Sequence, residues 1–193
     1  MRGSFASAGA CTLVAVVAIL LLSGCGSQEP DVKVPTPAEA RSALAGAPAP
    51  LASLHRQAAE LLPGGEDAFD ARLATLRGRP VVVNAWASWC TPCRYETPFF
   101  QRTSVRFGRR VAFLGVNPDD DTAKAKAFLR EHPVSYPSYA DPDEQIADEI
   151  GVRAGLPTTV FYGRDGKVAY VKQGQYRDEQ QLAADIRRYA GQA

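Results

Sequence analysis

Pro80-Val81-Val82-Val83-Asn84-Ala85-Trp86-Ala87-Ser88-Trp89-Cys90-Thr91-Pro92-Cys93 joins an apolar, β-branched run to two cysteines set three apart. The run has the composition of a strand buried on both faces. Thr91-Pro92 then suits the first turn of a helix, because proline lacks an N–H that would have been unpaired there anyway. A cysteine at such a junction lies against the helix's free N–H groups and positive dipole end, which stabilise a thiolate and depress its pKa. Cys90 is therefore expected to be the exposed attacking sulfur, and Cys93, one turn deeper, the resolving one. A Cys90–Cys93 disulfide that opens and closes is the chemistry this spacing favours. Trp89 is expected to shield one side of the pair, and Trp86 to join the core.

Other uses of the two cysteines fit less well. A structural disulfide across two intervening residues removes little chain entropy. Zinc needs four ligands, and there is neither a second CxxC nor a ligand-spaced His pair; His55 and His132 are far apart. Covalent haem attachment would want His after the second cysteine, where Arg94 stands. No metal or cofactor is called for.

Working outward, residues 91–107 read as a helix with a kink at Pro98, 111–116 as a second buried strand, and 122–131 as a helix opened by Asp119, Asp120 and Asp121, whose charges complement its N-terminus. Residues 144–150 form a short helix. Residues 158–162 and 167–171 flank Gly163-Arg164-Asp165-Gly166 as an antiparallel hairpin, and 178–189 close the chain as an amphipathic helix. Upstream, 51–62 and 67–76 carry leucines at helical spacing. Alternating strands and helices followed by a hairpin and a helix predict an α/β domain, a central mixed β-sheet flanked by helices, with extra N-terminal helices, over residues 51–193.

The motif from Val82 to Pro98, continuing past Cys93 as Arg94-Tyr95-Glu96-Thr97-Pro98, resembles the active-site signature of membrane-anchored TlpA/ResA-type thioredoxins. Gly155-Leu156-Pro157-Thr158-Thr159-Val160-Phe161 resembles their second motif. The resemblance covers residues 76–189 and implies a thioredoxin fold and thiol:disulfide exchange with extracytoplasmic proteins. It further implies that Pro157 is a cis-proline against the cysteines, with Leu156 and Thr158 helping to seat an extended substrate peptide. Glu96 matches a buried acid able to relay a proton to or from Cys93, its neighbour at i and i+3; the alternative is an exposed glutamate paired with arginine. Asn84 stands where ordinary thioredoxins carry a buried Asp, and an amide cannot exchange protons at neutral pH. The resemblance suggests a reductant, for example of apocytochrome c cysteines during cytochrome c biogenesis, supplied by a membrane thiol-electron donor. The opposite direction, oxidative folding, stays open. A thiol peroxidase on this fold would want Thr where Ala87 stands, and a non-catalytic binding module would leave the cysteines idle.

The chain's beginning bears on location. Arg2 precedes an apolar run over residues 10–22, too short to span a bilayer and suited to a secretory h-region. Leu22-Ser23-Gly24-Cys25 resembles the bacterial lipoprotein signal, which implies cleavage after residue 24 and lipidation of Cys25. Cys11 would leave with that peptide. Residues 25–50, with Pro30, Pro35, Pro37, Pro48 and Pro50, are expected to be an extended tether. The protein is thus expected at the outer face of the cytoplasmic membrane, where disulfides persist. Across the 193 residues Lys and Arg number 22 and Asp and Glu 21, so no single-sign field favours nucleic acid as a partner.

Overall fold

The computed structural model describes residues 33–190, together with residue 3. The expected signal peptide (1–24), Cys11, the lipidation site Cys25 and the first part of the tether lie outside the described residues.

Fourteen elements alternate along the described chain: α1 (Pro37–Ala43), α2 (Ala49–Arg56), β1 (Leu61–Leu62), α3 (Gly65–Thr75), β2 (Val81–Ala85), α4 (Thr91–Phe107), β3 (Ala112–Pro118), α5 (Thr122–Glu131), β4 (Ser138–Asp141), α6 (Gln145–Glu149), β5 (Thr158–Tyr162), β6 (Val168–Gln173), α7 (Glu179–Asp185) and a π-helical turn (Ile186–Ala190). The strands form one sheet in the order β1-β4-β3-β2-β5-β6. From β1 to β2 neighbours run parallel, while β5 is antiparallel to β2 and β6 to β5. Every residue of β2, β3 and β5 is buried, as expected of strands covered on both faces.

Alternation along β2 sorts the core into two clusters. Val82, with Trp86, Cys90, Cys93, Phe100, Phe128, Phe161 and Leu182, packs with α4, α5 and α7. Val81 and Val83 instead join Leu51, Leu54, Phe69, Leu76, Leu114 and Ile146, packing with α2, α3 and α6. Each cluster buries one face of the sheet.

Two sequence expectations are corrected. Residues 25–50 are not an extended tether throughout: from Thr36 the chain caps and enters α1, burying Ala40 and Leu44. The prolines permit this because Pro37 occupies the first helical turn, and Thr36 and Glu39 exchange side-chain and backbone hydrogen bonds as a capping box. The helix expected over 51–62 ends at Arg56, and Leu61 and Leu62 form an edge strand pairing with Ser138 and Tyr139. β4 itself was not expected from the sequence. Pro98 lies inside α4 without ending it.

Candidate active site

α4 begins where β2 ends, and Cys90 is its N-cap: the backbone there is extended, and Sγ accepts the Cys93 N–H at 3.2 Å. Cys90 and Cys93 are joined as a disulfide, with S–S 1.95 Å and Cα–Cα 5.3 Å. The expected pairing is therefore present. The expected exposure of Cys90 is not: its residue surface is 3% exposed and that of Cys93 1%. Bonded to each other, the sulfurs pack in the same cluster as Trp86 and Ala87, with Leu156 against it. What is open beside them is aromatic, since Trp89 is 59% and Tyr95 54% exposed.

The loop before the cysteines is held by groups that sequence reasoning read differently. Asp120 accepts the Ser88 N–H (2.5 Å), the Ser88 hydroxyl (2.7 Å) and Asn117 Nδ2 (2.9 Å). Asn117 also donates to the Trp86 carbonyl at 3.0 Å. The Trp89 indole N–H donates to the Asp119 carbonyl at 2.9 Å. Of the three aspartates assigned to the α5 N-terminus, Asp121 is its cap, accepting the Lys124 N–H at 2.8 Å. Asp119 and Asp120 instead brace the redox loop. A strand end facing that loop was the available signal.

Glu96 is fully buried, which rules out an exposed glutamate paired with arginine. Its Oε2 accepts the Tyr176 N–H at 2.9 Å, whereas Oε1 has no partner. Desolvation raises its pKa from 4.5 to about 7, against lowering contributions from the Tyr176 hydrogen bond and the Lys172 charge. Lys172 donates to the carbonyls of Gln173, Gly174 and Gln175 (3.4, 2.6 and 3.0 Å) and lies 4.6 Å from the Tyr176 ring centre. It thereby shapes the turn that presents the Tyr176 N–H. Neither Lys172 nor Tyr176 was marked by the sequence, because their approach to Glu96 is made by tertiary folding. Asn84, on β2, is buried with Oδ1 unpaired and hydrogen-bonds the Tyr136 hydroxyl, whose pKa burial pushes up.

The Leu156–Pro157 bond is cis. Leu156 packs against the cluster holding both cysteines, and its N–H and C=O have no hydrogen-bond partner among the described residues. Thr158 is buried and donates its hydroxyl to the Gly155 carbonyl and Gln173 Oε1, both at 2.8 Å. Cys90, Cys93, Leu156 and Pro157 thus meet at one end of the sheet, with Trp89 at the surface and Glu96 below. Among the described residues no group of three or more His, Cys, Asp or Glu could hold a metal ion.

A sequence profile described as Redoxin matches residues 44–186. The chain is 32% identical over 103 residues to "Thiol-disulfide oxidoreductase ResA" of Bacillus subtilis (strain 168), covering 53% of this chain and 57% of the relative. It is 35% identical over 112 residues to "Thiol:disulfide interchange protein DsbE" of Pseudomonas fluorescens biotype C, covering 55% and 61% respectively. The match thus spans about three fifths of these curated relatives' length. Among solved structures, a putative thiol:disulfide interchange protein DsbE from Chlorobium tepidum superposes with a TM-score of 0.57 at 30% identity, over 62% of this chain and 85% of that one.

Proposed function

The chain belongs to the Redoxin family, and from that premise we propose that it is a thiol:disulfide oxidoreductase acting on protein substrates through Cys90 and Cys93. The observation that carries the reading is the disulfide at the α4 N-cap, where the Cys90 sulfur receives the Cys93 N–H. That hydrogen bond and the helix dipole favour negative charge on Cys90 once the pair is reduced.

In the reducing direction the Cys90 thiolate attacks one sulfur of a substrate disulfide, forming a mixed disulfide and expelling the other sulfur as a thiolate. Cys93 then loses its proton, attacks Cys90 Sγ and releases the substrate's second thiolate, leaving the Cys90–Cys93 disulfide. Two electrons pass from the dithiol to the substrate. Glu96, with a pKa near 7 and one unpaired oxygen, takes the Cys93 proton. The substrate chain lies along Leu156, whose unpaired N–H and C=O offer strand-like hydrogen bonds, with Pro157, Thr158 and Trp89 bounding the seat. Because the sulfurs are nearly enclosed, the incoming sulfur must enter beside Trp89 and Leu156.

In this reading the protein is a reductant serving extracytoplasmic protein thiols, cytochrome c biogenesis among them, and is recharged by a membrane thiol donor. Cys25 carries the lipid that holds it to the outer face of the cytoplasmic membrane. The Ser23-Gly24-Cys25 sequence and the relatives named for thiol-disulfide exchange support this setting.

Insulin reduction driven by dithiothreitol tests the activity: the wild-type chain accelerates it and Cys90→Ser does not. Equal rates in both would contradict the proposal. Redox equilibration tests the direction. A potential close to about −270 mV supports a reductant, and one close to about −120 mV reverses the direction to oxidation.

A further inference from the structure

Away from the cysteines, a groove of about 700 Å³ opens between α1 and α2 on one side and α4, α5 and the segment after α5 on the other. Its volume falls in the range of roughly 300–1,000 Å³ typical of small-molecule sites. Ala40, Leu44, Leu129 and Val134 contribute apolar lining. Arg41, Arg56 and Arg130 also line it, and among the described residues no carboxylate does. All three guanidinium side chains are exposed, and none forms a hydrogen bond or ion pair among the described residues. Deeper in, Gln101 donates to the Pro35 carbonyl at 3.3 Å and accepts the Ser135 hydroxyl at 3.0 Å, while the buried His55 Nδ1 has no partner among the described residues.

A mostly hydrocarbon wall and a cationic rim without partners among the described residues together select the occupant. A peptide would bring amides needing partners, and the backbone groups of α1 and α2 are committed within the helices. A flat bilayer surface would meet the arginines but leave the recess empty. A single alkyl chain needs no hydrogen bonds, and a carboxylate at its end meets the guanidinium rim with the planar geometry arginine favours.

We infer that this groove binds a long-chain fatty carboxylate, alkyl tail inside and headgroup at Arg41, Arg56 and Arg130. The site is separate from the redox pair, although Gln101 lies on the same helix about 12 Å along the axis from Cys93. It needs no premise about the redox reaction.

Calorimetric titration of the purified full chain with decanoate, dodecanoate and tetradecanoate provides the test. Saturable one-to-one binding is expected. It should tighten by up to about fourfold per added methylene, the gain from withdrawing each from water. Dodecylamine should bind at least about tenfold more weakly than dodecanoate, and replacing all three arginines by glutamine should weaken dodecanoate by about tenfold or more. Ala58→Trp, which fills the groove from an exposed lining position, should abolish binding while insulin reduction stays at the wild-type rate. Several results would overturn the inference: no saturable binding, equal affinity for amine and carboxylate, or unchanged affinity after loss of the arginines. Association only with anionic phosphatidylglycerol vesicles would assign the arginines to a membrane surface instead. Binding that emerges only after removal of residues 1–32 would assign the groove to the chain's own N-terminal segment.

Discussion

The two faces of the sheet are built from the same strands to opposite standards. The face covered by α2, α3 and α6 is closed by Leu51, Leu54, Phe69, Leu76, Val81, Val83 and Leu114, each at most 3% exposed, and the buried carboxylate beside α6, Asp141, has both oxygens paired to the N–H groups of Ile146 and Ala147. The face covered by α4, α5 and α7 holds the disulfide together with Asn84 and Glu96, and each of those two keeps a buried oxygen without a partner. Unpaired buried polar atoms cost stability; of the three among the described residues, two lie on the cysteine side and the third is His55 Nδ1 on α2, so the pair beside the disulfide is a mark of chemistry. One face anchors the fold; the other leaves two buried oxygens unpaired beside a reactive pair.

That contrast can be broken most severely at Cys90. Cys90→Ser should abolish disulfide reduction while leaving a folded protein, as judged by circular dichroism. On the opposite face Phe69→Ala, at a fully buried position, should cost about 3–5 kcal/mol in urea denaturation yet leave the redox potential unchanged. A shifted potential would show that the two faces are coupled.

Glu96 sharpens the comparison with an effect of opposite sign. Its carboxyl titrates at 4.5 ordinarily and at about 7 in the fold, so the folded state holds the proton more tightly. The resulting stabilisation is fully present below about pH 4.5 and is lost as pH rises through 7. Above that, the buried carboxylate is a penalty of about 3 kcal/mol at roughly 1.4 kcal/mol per pKa unit. Glu96→Gln should therefore be more stable than wild type at pH 9, by up to about 3 kcal/mol, and show no gain at pH 4. It should also lose the change in activity centred near pH 7. Asp120→Ala, which removes the acceptor for Ser88 and Asn117, should cost about 1–3 kcal/mol and slow turnover by loosening the redox loop. The smallest effect lies far from both faces' centres: Thr36→Ala should lose about 1 kcal/mol through the α1 cap, without touching the kinetics.

How far each region was legible follows from the same physics. β2, α4, β3 and the β5–β6 hairpin announce themselves through continuous apolar runs, the cysteine pair and a turn cluster. The resemblance to TlpA/ResA-type thioredoxins pointed to Glu96 and Pro157, and the structure has the first buried and the second cis. β4 escaped because Ser138-Tyr139-Ala140-Asp141 has no apolar run. Its buried polar residues serve distant groups: Ser138 accepts the Trp86 indole N–H at 3.0 Å, and Asp141 accepts the N–H groups of Ile146 and Ala147. Leu61 and Leu62 fit helical spacing as well as a two-residue edge strand, and only pairing with β4 decides between them. α1 was missed for a different reason. Proline density outweighed a start signal that was present, Thr36-Pro37-Ala38-Glu39, in which proline at the first turn favours the helix.

Trapping with Cys93→Ser tests the central claim most directly. With the resolving sulfur gone, Cys90 should accumulate mixed disulfides with exported proteins, and mass spectrometry of the adducts should find the linkage at Cys90. Adducts that fail to form, or that persist when Cys90 is also replaced, would contradict the account.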